Sequence, residues 1–493
     1  MQQVLLGFDI GSSFVKGSAV RVNDGTCIAS ASAPDSEMTI SSPKPGWAEQ
    51  DPEMWWEQVK SVAVKLLTAG SFQKEEVTAI GLSYQMHGLV LLDSDQKLLR
   101  PSIIWCDSRA AEIGRKAFEE LGEQFCLQNY LNSPGNFTAS KLKWVKENEP
   151  EIFENAEVAM LPGDFIGYKM TGERITTASG LSEGIFWNFR AGDIAEKLLD
   201  HYGIPPSLLP EWKGSFKEHG KLSKKAADEL GLDPGIPLSY RAGDQPNNAF
   251  SLNVTSPGEA AATAGTSGVI YGITDQPKTD SKSRVNSFVH VNHTPEDPRY
   301  GMLLCVNGTG IMNSWLRKQF SQSGYSYEKM NEMAAVIPVG SEGLTVHPFG
   351  NGSERILEDR NPGGDFKFLD FHRHSAAHMM RAVQEGIVFA LGYGLKIMKD
   401  SGLEIETVKA GHANMFLSPV FREAFVNTTG TELHLYKTDG AEGAARGAGV
   451  GAGIYRDMTE AFAGLEKIST QQPEAEIQDQ YREAYSRWLN SLP

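Results

Sequence analysis

Two short turns rich in small hydroxyl residues, Gly11-Ser12-Ser13 and Gly265-Thr266-Ser267, point most directly to chemistry in this chain of 493 residues. Glycine lets a backbone approach a ligand closely, successive backbone N–H groups form a concave anion nest, and Ser or Thr hydroxyls add donors. Each turn can therefore cradle a phosphate. Either alone also reads as an ordinary hairpin turn, but the design occurs twice, about half a chain apart, and the pair suits the phosphates of a nucleotide. Asp9 stands just before the first turn, although strand interiors are depleted in Asp. A carboxylate beside a phosphate nest is placed to engage Mg²⁺, usually through water, or to cap the turn. Asp244, followed by Gln245-Pro246-Asn247-Asn248, is the second singular acid. It reads as a general base accepting a hydroxyl proton or as a helix N-cap. Ser83-Tyr84-Gln85-Met86-His87-Gly88, with Trp105, Asp107 and Arg109 further on, sets hydroxyl, amide, imidazole and indole together. That mixture suits a polyhydroxylated ligand.

Other signals carry less. No GxxxxGK[ST] string is present, which argues against a P-loop nucleotide hydrolase. Gly447-Ala448-Gly449-Val450-Gly451-Ala452 fits a dinucleotide pattern formally, yet it lies in the small-residue tract Ala441–Gly453, which more simply packs a helix closely against its neighbours. His374 and His378 lie four apart without HExxH or an adjoining acid, and read as a solvated helix face. Cys27, Cys106, Cys126 and Cys305 form no CxxC pair and read as reduced cytosolic thiols.

The elements that must position these residues alternate between strand and helix. Val4–Ile10 and Phe14–Val20 flank the first turn as a hairpin. Asp51-Pro52-Glu53 supplies an N-cap, a first-position proline and an early acid, so a helix runs from there to near Gly70. Strands are expected at Val77–Ser83 and Leu89–Asp93, and helices at Ser140–Glu149 and Ser223–Leu230. The run Ala261–Ile273 repeats the opening hairpin. An α/β architecture of two lobes of related construction follows, divided near residue 255 at Ser256-Pro257-Gly258. The N-terminal lobe is 1–255 and the C-terminal lobe 256–493.

The net charge is −16 with no Lys/Arg run, which speaks against nucleic acid or an anionic membrane as partner. Asp9 interrupts the N-terminal apolar run, so no signal peptide is read there, and no stretch is long and apolar enough to span a bilayer. A cytoplasmic protein is expected.

Taken in order, Asp9-Ile10-Gly11-Ser12-Ser13 with Lys16, Pro45-Gly46-Trp47-Ala48-Glu49-Gln50-Asp51-Pro52, Gln85-Met86-His87-Gly88, Leu99–Arg109, Leu161-Pro162-Gly163-Asp164 and Gly243-Asp244 resemble the FGGY carbohydrate kinases, from residue 1 to about 455. The resemblance implies two ribonuclease-H-like, actin-like lobes with ATP and Mg²⁺ in the cleft. It also implies transfer of the γ-phosphoryl to a sugar hydroxyl, with D-xylulose the expected acceptor and another ketose, a polyol or a sugar-free actin-like ATPase the alternatives. Asp244 resembles the family's catalytic base and Asp9 its metal and phosphate carboxylate. Met86, His87, Trp105 and Gln245 fall on the sugar side. Gly11, Ser12, Ser13, Lys16, Gly265 and Thr266 fall on the phosphates, and Gly310, Gly411, Ala413 and Asn414 on the nucleotide. Ala410-Gly411-His412-Ala413-Asn414 departs from the family's glycine-rich GGGA string, and Gln245 stands where Asn commonly follows the base. A homodimer is the expected assembly.

Overall fold

A computed structural model describes residues 2–358 and 360–492. The chain forms two compact units. The first holds the chain up to Asn253 with Phe288–Tyr300 and Thr438–Leu465, and the second holds Val254–Ser287, Gly301–Lys437 and the chain from Glu466 onward. The first passage from one unit to the other falls between Asn253 and Val254, beside the expected cut near residue 255, and two later segments return to the first unit.

The first unit is built on strands β1 (Val4–Ile10), β2 (Val15–Arg21), β3 (Cys27–Ala33), β4 (Val77–Tyr84) and β5 (Leu238–Gly243), ordered β5-β4-β1-β2-β3. The expected hairpin is present, with β1 antiparallel to β2, and β4 runs parallel to both β1 and β5. Strands covered on both faces read as continuous apolar runs, which is why Val4-Leu5-Leu6 shows no alternation. On one face lies helix Pro52–Thr68, whose first turn is capped by Asp51 accepting the Glu53 N–H at 3.0 Å. Its Trp55, Val59, Val62, Ala63 and Leu66 are buried at the spacing read from the sequence.

Helix Gly440–Gly451 packs against β1 and β4 and explains the returning segment. A Cβ at Gly7 would lie 1.9 Å from the Ala441 carbonyl oxygen, and one at Gly81 would lie 2.0 Å from that of Ala444. Only a small-residue helix on a glycine-bearing sheet can come this close. The tract Ala441–Gly453 is thus a packing face.

In the second unit the sheet comprises β6 (Glu259–Ala264), β7 (Gly268–Thr274), β8 (Asn286–Val289), β9 (Tyr300–Val306), β10 (Thr407–Gly411), β11 (Glu432–Lys437) and β12 (Glu466–Gln471), ordered β8-β9-β7-β6-β10-β11-β12, with Phe288 and Val289 of β8 and Tyr300 of β9 counted in the first unit. Its opening hairpin, β6 with β7, is antiparallel around Gly265-Thr266-Ser267, and β6 runs parallel to β10. Helix Ala376–Asp400 is apolar on most of its circumference and buries Met380, Val383, Ile387 and Leu391 in the core of this unit. A helix with apolar residues all round belongs inside. Near the C-terminus, helix Ala475–Asn490 seats Trp488 in the same core, its indole N–H donating to the Val346 carbonyl at 2.8 Å.

The histidine pair differs from expectation. The helix begins only at Ala376, so His374 precedes it and accepts the Asp370 N–H at 3.0 Å, while His378 is buried and accepts the Ser375 N–H at 3.2 Å. Local capping, which a spacing rule does not register, replaces a solvated face. All four cysteines are free thiols, and no helix among the described residues is long and apolar enough to cross a membrane.

Candidate active site

Strand register carries the acids to one edge. Along the parallel strands Asp9 pairs with Ser83 and Ile10 with Tyr84, while Ala242 pairs with Ser83 and Gly243 with Tyr84. The residues that leave these strands, Gly11 onward, Gln85 onward and Asp244 onward, therefore emerge together at the carboxyl ends of three adjacent strands. In open α/β sheets that is where ligands bind.

Asp9 accepts the Ser83 hydroxyl at 2.7 Å and faces Lys16 across the hairpin. Burial holds its carboxyl above the usual range; Ser83 and Lys16 oppose the shift and Asp439 adds to it. The Asp9 Oδ2 atom would lie 2.6 Å from a Cβ on Gly440, so the start of the small-residue helix rests directly on this acid. Asp244 is the first residue of helix Asp244–Ser251, and Gly243 holds the N-cap position. The N-cap reading of Asp244 is thereby displaced. Burial, followed by the negative charge of Asp9, pushes its pKa up to about 7, against hydrogen bonds from Gln245. A carboxyl poised near neutrality suits a base that must accept and release a proton. The Gln245 Oε1 atom is buried without a hydrogen-bond partner.

The turn after β4 carries Met86, which is buried, and His87, whose φ of 61° lies in the left-handed region. A non-glycine residue pays for that conformation, and the surroundings hold it there. Glu183 Oε1 accepts the His87 backbone N–H at 3.3 Å, the Glu183 carbonyl lies 2.9 Å from His87 Nδ1, and Lys141 Nζ donates to the carbonyls of His87 at 2.8 Å and Ile104 at 2.9 Å. Phe137 packs edge-on to the imidazole at 4.8 Å.

Trp105 is half exposed, 46%, and its indole N–H donates to Ser12 Oγ at 3.3 Å. The indole thus sits beside the first hydroxyl turn. That turn is closed by the Gly11 N–H donating to the Phe14 carbonyl at 3.0 Å, and it is anchored by Gln50 donating to the Ser12 carbonyl at 2.7 Å and by the Met38 N–H donating to the Ser13 carbonyl at 2.9 Å. Asp107 and Arg109 are absorbed by the scaffold: Asp107 is fully buried and accepts the Ala48 N–H, and the Arg109 guanidinium lies 3.7 Å above the Trp47 ring.

The second unit gathers its own set. Gly310 opens helix Gly310–Gln319, its N–H donates to the Gly265 carbonyl at 2.8 Å, and the Ile311 N–H donates to the Thr266 carbonyl at 3.2 Å. A Cβ on Gly310 would stand 2.2 Å from the Gly265 oxygen, and one on Gly265 would stand 3.5 Å from Asn414 Nδ2. Gly411 ends β10, and Ala413 caps the short turn of helix Asn414–Leu417. Gly265, Thr266, Gly310 and Asn414 are therefore neighbours, with Gly411 and Ala413 leading into them.

Sequence reasoning missed Glu183, Lys141 and Asp439. Lys141 lay inside an expected helix, and Glu183 in a stretch without periodic signal. Asp439 N-caps the small-residue helix by accepting the Glu442 N–H at 2.9 Å. The acid before the tract Ala441–Gly453 was the available clue.

For a divalent cation, Asp9 has Asp244 and Asp439 within electrostatic reach. Among the described residues no three His, Cys, Asp or Glu side chains converge on one point. This donor set fits Mg²⁺, which keeps several waters and takes one or two carboxylates plus phosphate oxygens.

Comparison with known proteins identifies the family. A xylulose kinase of Bacillus subtilis is 27% identical over 99% of this chain and 96% of its own length. One of Escherichia coli is 28% identical over 99% of both. The crystal structure of xylulose kinase from Rhodospirillum rubrum superposes with a TM-score of 0.87 at 26% identity, covering 99% of this chain and 98% of that one. This likeness bears out the expected pair of ribonuclease-H-like lobes. Residues 4–251 match the N-terminal domain of the FGGY family of carbohydrate kinases and residues 260–454 its C-terminal domain, and the chain belongs to that family.

Proposed function

We propose that this kinase transfers the γ-phosphoryl of ATP to D-xylulose, giving D-xylulose 5-phosphate. The observation that carries the reading is the register that delivers Asp9, the Met86-His87 turn and Asp244 to one sheet edge, with Asp244 poised near pH 7. The names of the relatives supply the ketose. Met86, His87, Trp105 and Gln245 orient the sugar, with the terminal hydroxyl directed to Asp244. As the oxygen attacks, the Asp244 carboxylate accepts its proton. Gly11, Ser12, Ser13, Lys16, Gly265 and Thr266 position the phosphates, and Gly310, Gly411, Ala413 and Asn414 the nucleoside end. Mg²⁺, held through Asp9 with waters and phosphate oxygens, would neutralise charge on the transferred group. Phosphoryl transfer is mainly positioning and charge stabilisation, so the base contributes about 10² to 10⁴ of the rate and the turns much of the rest. Four free thiols fit a reducing compartment, and we place the protein in the cytoplasm.

The test is Mg-ATP turnover against D-xylulose, D-ribulose, L-ribulose, L-xylulose, D-fructose and glycerol, read as ADP and sugar phosphate. Strong preference for D-xylulose is expected. Preference for another member moves the substrate, and ADP release that ignores every sugar overturns the reading.

A further inference from the structure

Glu183 is the last residue of helix Ala178–Glu183 and is completely buried. Among the described residues no cation is paired with it: Lys141, within electrostatic reach, directs two of its donors to the carbonyls of His87 and Ile104. Glu183 holds His87 twice over, once by its side chain and once by its backbone. Its Oε1 accepts the His87 amide at 3.3 Å, and because a carbonyl can only accept, the 2.9 Å contact from the Glu183 carbonyl requires the proton on Nδ1 of the imidazole. The other oxygen, Oε2, is buried without a hydrogen-bond partner and would stand 2.3 Å from a Cβ on Gly243, the residue that caps the helix of Asp244. An unpaired carboxylate there would be a second negative charge in a dry site beside Asp244, whereas a carboxylic acid carries none and still accepts the His87 amide.

We propose that Glu183 is a positioning residue held as an uncharged carboxylic acid, whose side chain locks the strained backbone of His87 for the sugar, beside the ring contact made by its backbone carbonyl, while keeping its own charge away from Asp244. This rests on the reading of His87 and Asp244 given under the proposed function. The groups that face it from each packed element divide, and burial decides between them. Asp244 and Asp164 disfavour its ionisation, Lys141 and the His87 amide favour it, and burial outweighs them all, holding its proton well above the ordinary carboxyl range. Tyr84, from the end of β4, is also in electrostatic contact with it. Ser182, one residue earlier, accepts the Val289 N–H at 2.9 Å and fixes the segment whose Phe288 ring lies 5.7 Å from His87. The helix end is therefore rigid enough to transmit the constraint.

The experiment compares wild type, Glu183→Gln, Glu183→Leu and His87→Ala in Mg-ATP and sugar kinetics, with infrared difference spectra at pH 8. Glu183→Leu should raise the sugar KM about ten- to a hundredfold, as His87→Ala does, with the KM for ATP unchanged. Glu183→Gln should restore it to within about twofold, since the amide oxygen still accepts the His87 N–H. Wild type should show a protonated-carboxyl C=O band at pH 8 that Glu183→Gln lacks. An unchanged sugar KM in a folded Glu183→Leu, with His87→Ala impaired, overturns this proposal alone. If Glu183→Leu does not fold, the other two readouts decide: absence of the band, or a Glu183→Gln variant as impaired as His87→Ala, overturns it. No sugar-dependent turnover in wild type, or a normal sugar KM in His87→Ala, instead fails the functional reading beneath it.

Discussion

The two opening hairpins share a backbone design and differ in charge. In the first, Asp9 lies two residues before Gly11 and pairs across the hairpin with Lys16; in the second, Thr263 lies two residues before Gly265 and pairs with Val269. Each sheet places this hairpin at its centre, against a neighbouring parallel strand. The first edge then collects Asp9, Asp244, Glu183 and Asp439, whereas the second turn is stitched to a glycine-led helix start with Thr266 and Asn414 beside it. One design thus serves two chemistries. On the proposed function the acids would handle protons and a cation, while neutral donors and a helix N-terminus would face phosphate oxygens.

The largest break in this contrast should come from Asp244→Asn, which removes the proposed base from the acidic edge. Its kcat is expected to fall about 10² to 10⁴-fold with D-xylulose in steady-state kinetics. Wild-type kcat/KM should itself decline as pH drops through about 7, because the base works ionised and its carboxyl is pushed up to about 7. Stability runs the other way. A carboxyl whose pKa is raised on folding favours the native state while protonated, and that advantage is lost as pH rises through about 7. Asp244→Asn should therefore melt higher than wild type at pH 8, with the gap closing toward about pH 4.

Thr263→Asp would carry the acid of the first hairpin into the second. A carboxylate beside the Gly265-Thr266 turn repels phosphate, so the KM for ATP should rise about ten- to a hundredfold while the sugar KM stays level. Equal changes in both constants would show that the second turn is no more phosphate-directed than the first. Gly310→Ala sharpens the same point, because its Cβ would stand 2.2 Å from the Gly265 oxygen and push the helix start off the turn. About a tenfold rise in the KM for ATP is expected from initial-rate measurements. The smallest effect belongs to Ser83→Ala. Without the 2.7 Å hydroxyl contact the Asp9 proton is held more tightly, so the Mg²⁺ concentration for half-maximal rate should rise about two- to fivefold, and by more as pH is lowered.

Much of the fold is written locally. Helix Pro52–Thr68 starts at the Asp51-Pro52-Glu53 signal, and both hairpins turn at Gly11-Ser12-Ser13 and Gly265-Thr266-Ser267, because capping, proline geometry and turn chemistry act over a few residues. His374 and His378 show where local reading fails: four-residue spacing implied a shared helix face, yet the helix starts between them, with Ser375 at its cap.

By itself the sequence determined the α/β alternation, the two hydroxyl turns, the acids Asp9 and Asp244 and the family, all of which depend on residue type at short range. The tertiary structure decided the rest. It returned residues 438–465 to the first unit through a helix small enough to lie on Gly7 and Gly81, set Glu183 beneath His87, and tied Gly310 to Gly265. It also decided the proton affinities of Asp9, Asp244 and Glu183, because burial and the approach of distant charges belong to three-dimensional packing and leave no trace in neighbouring residues.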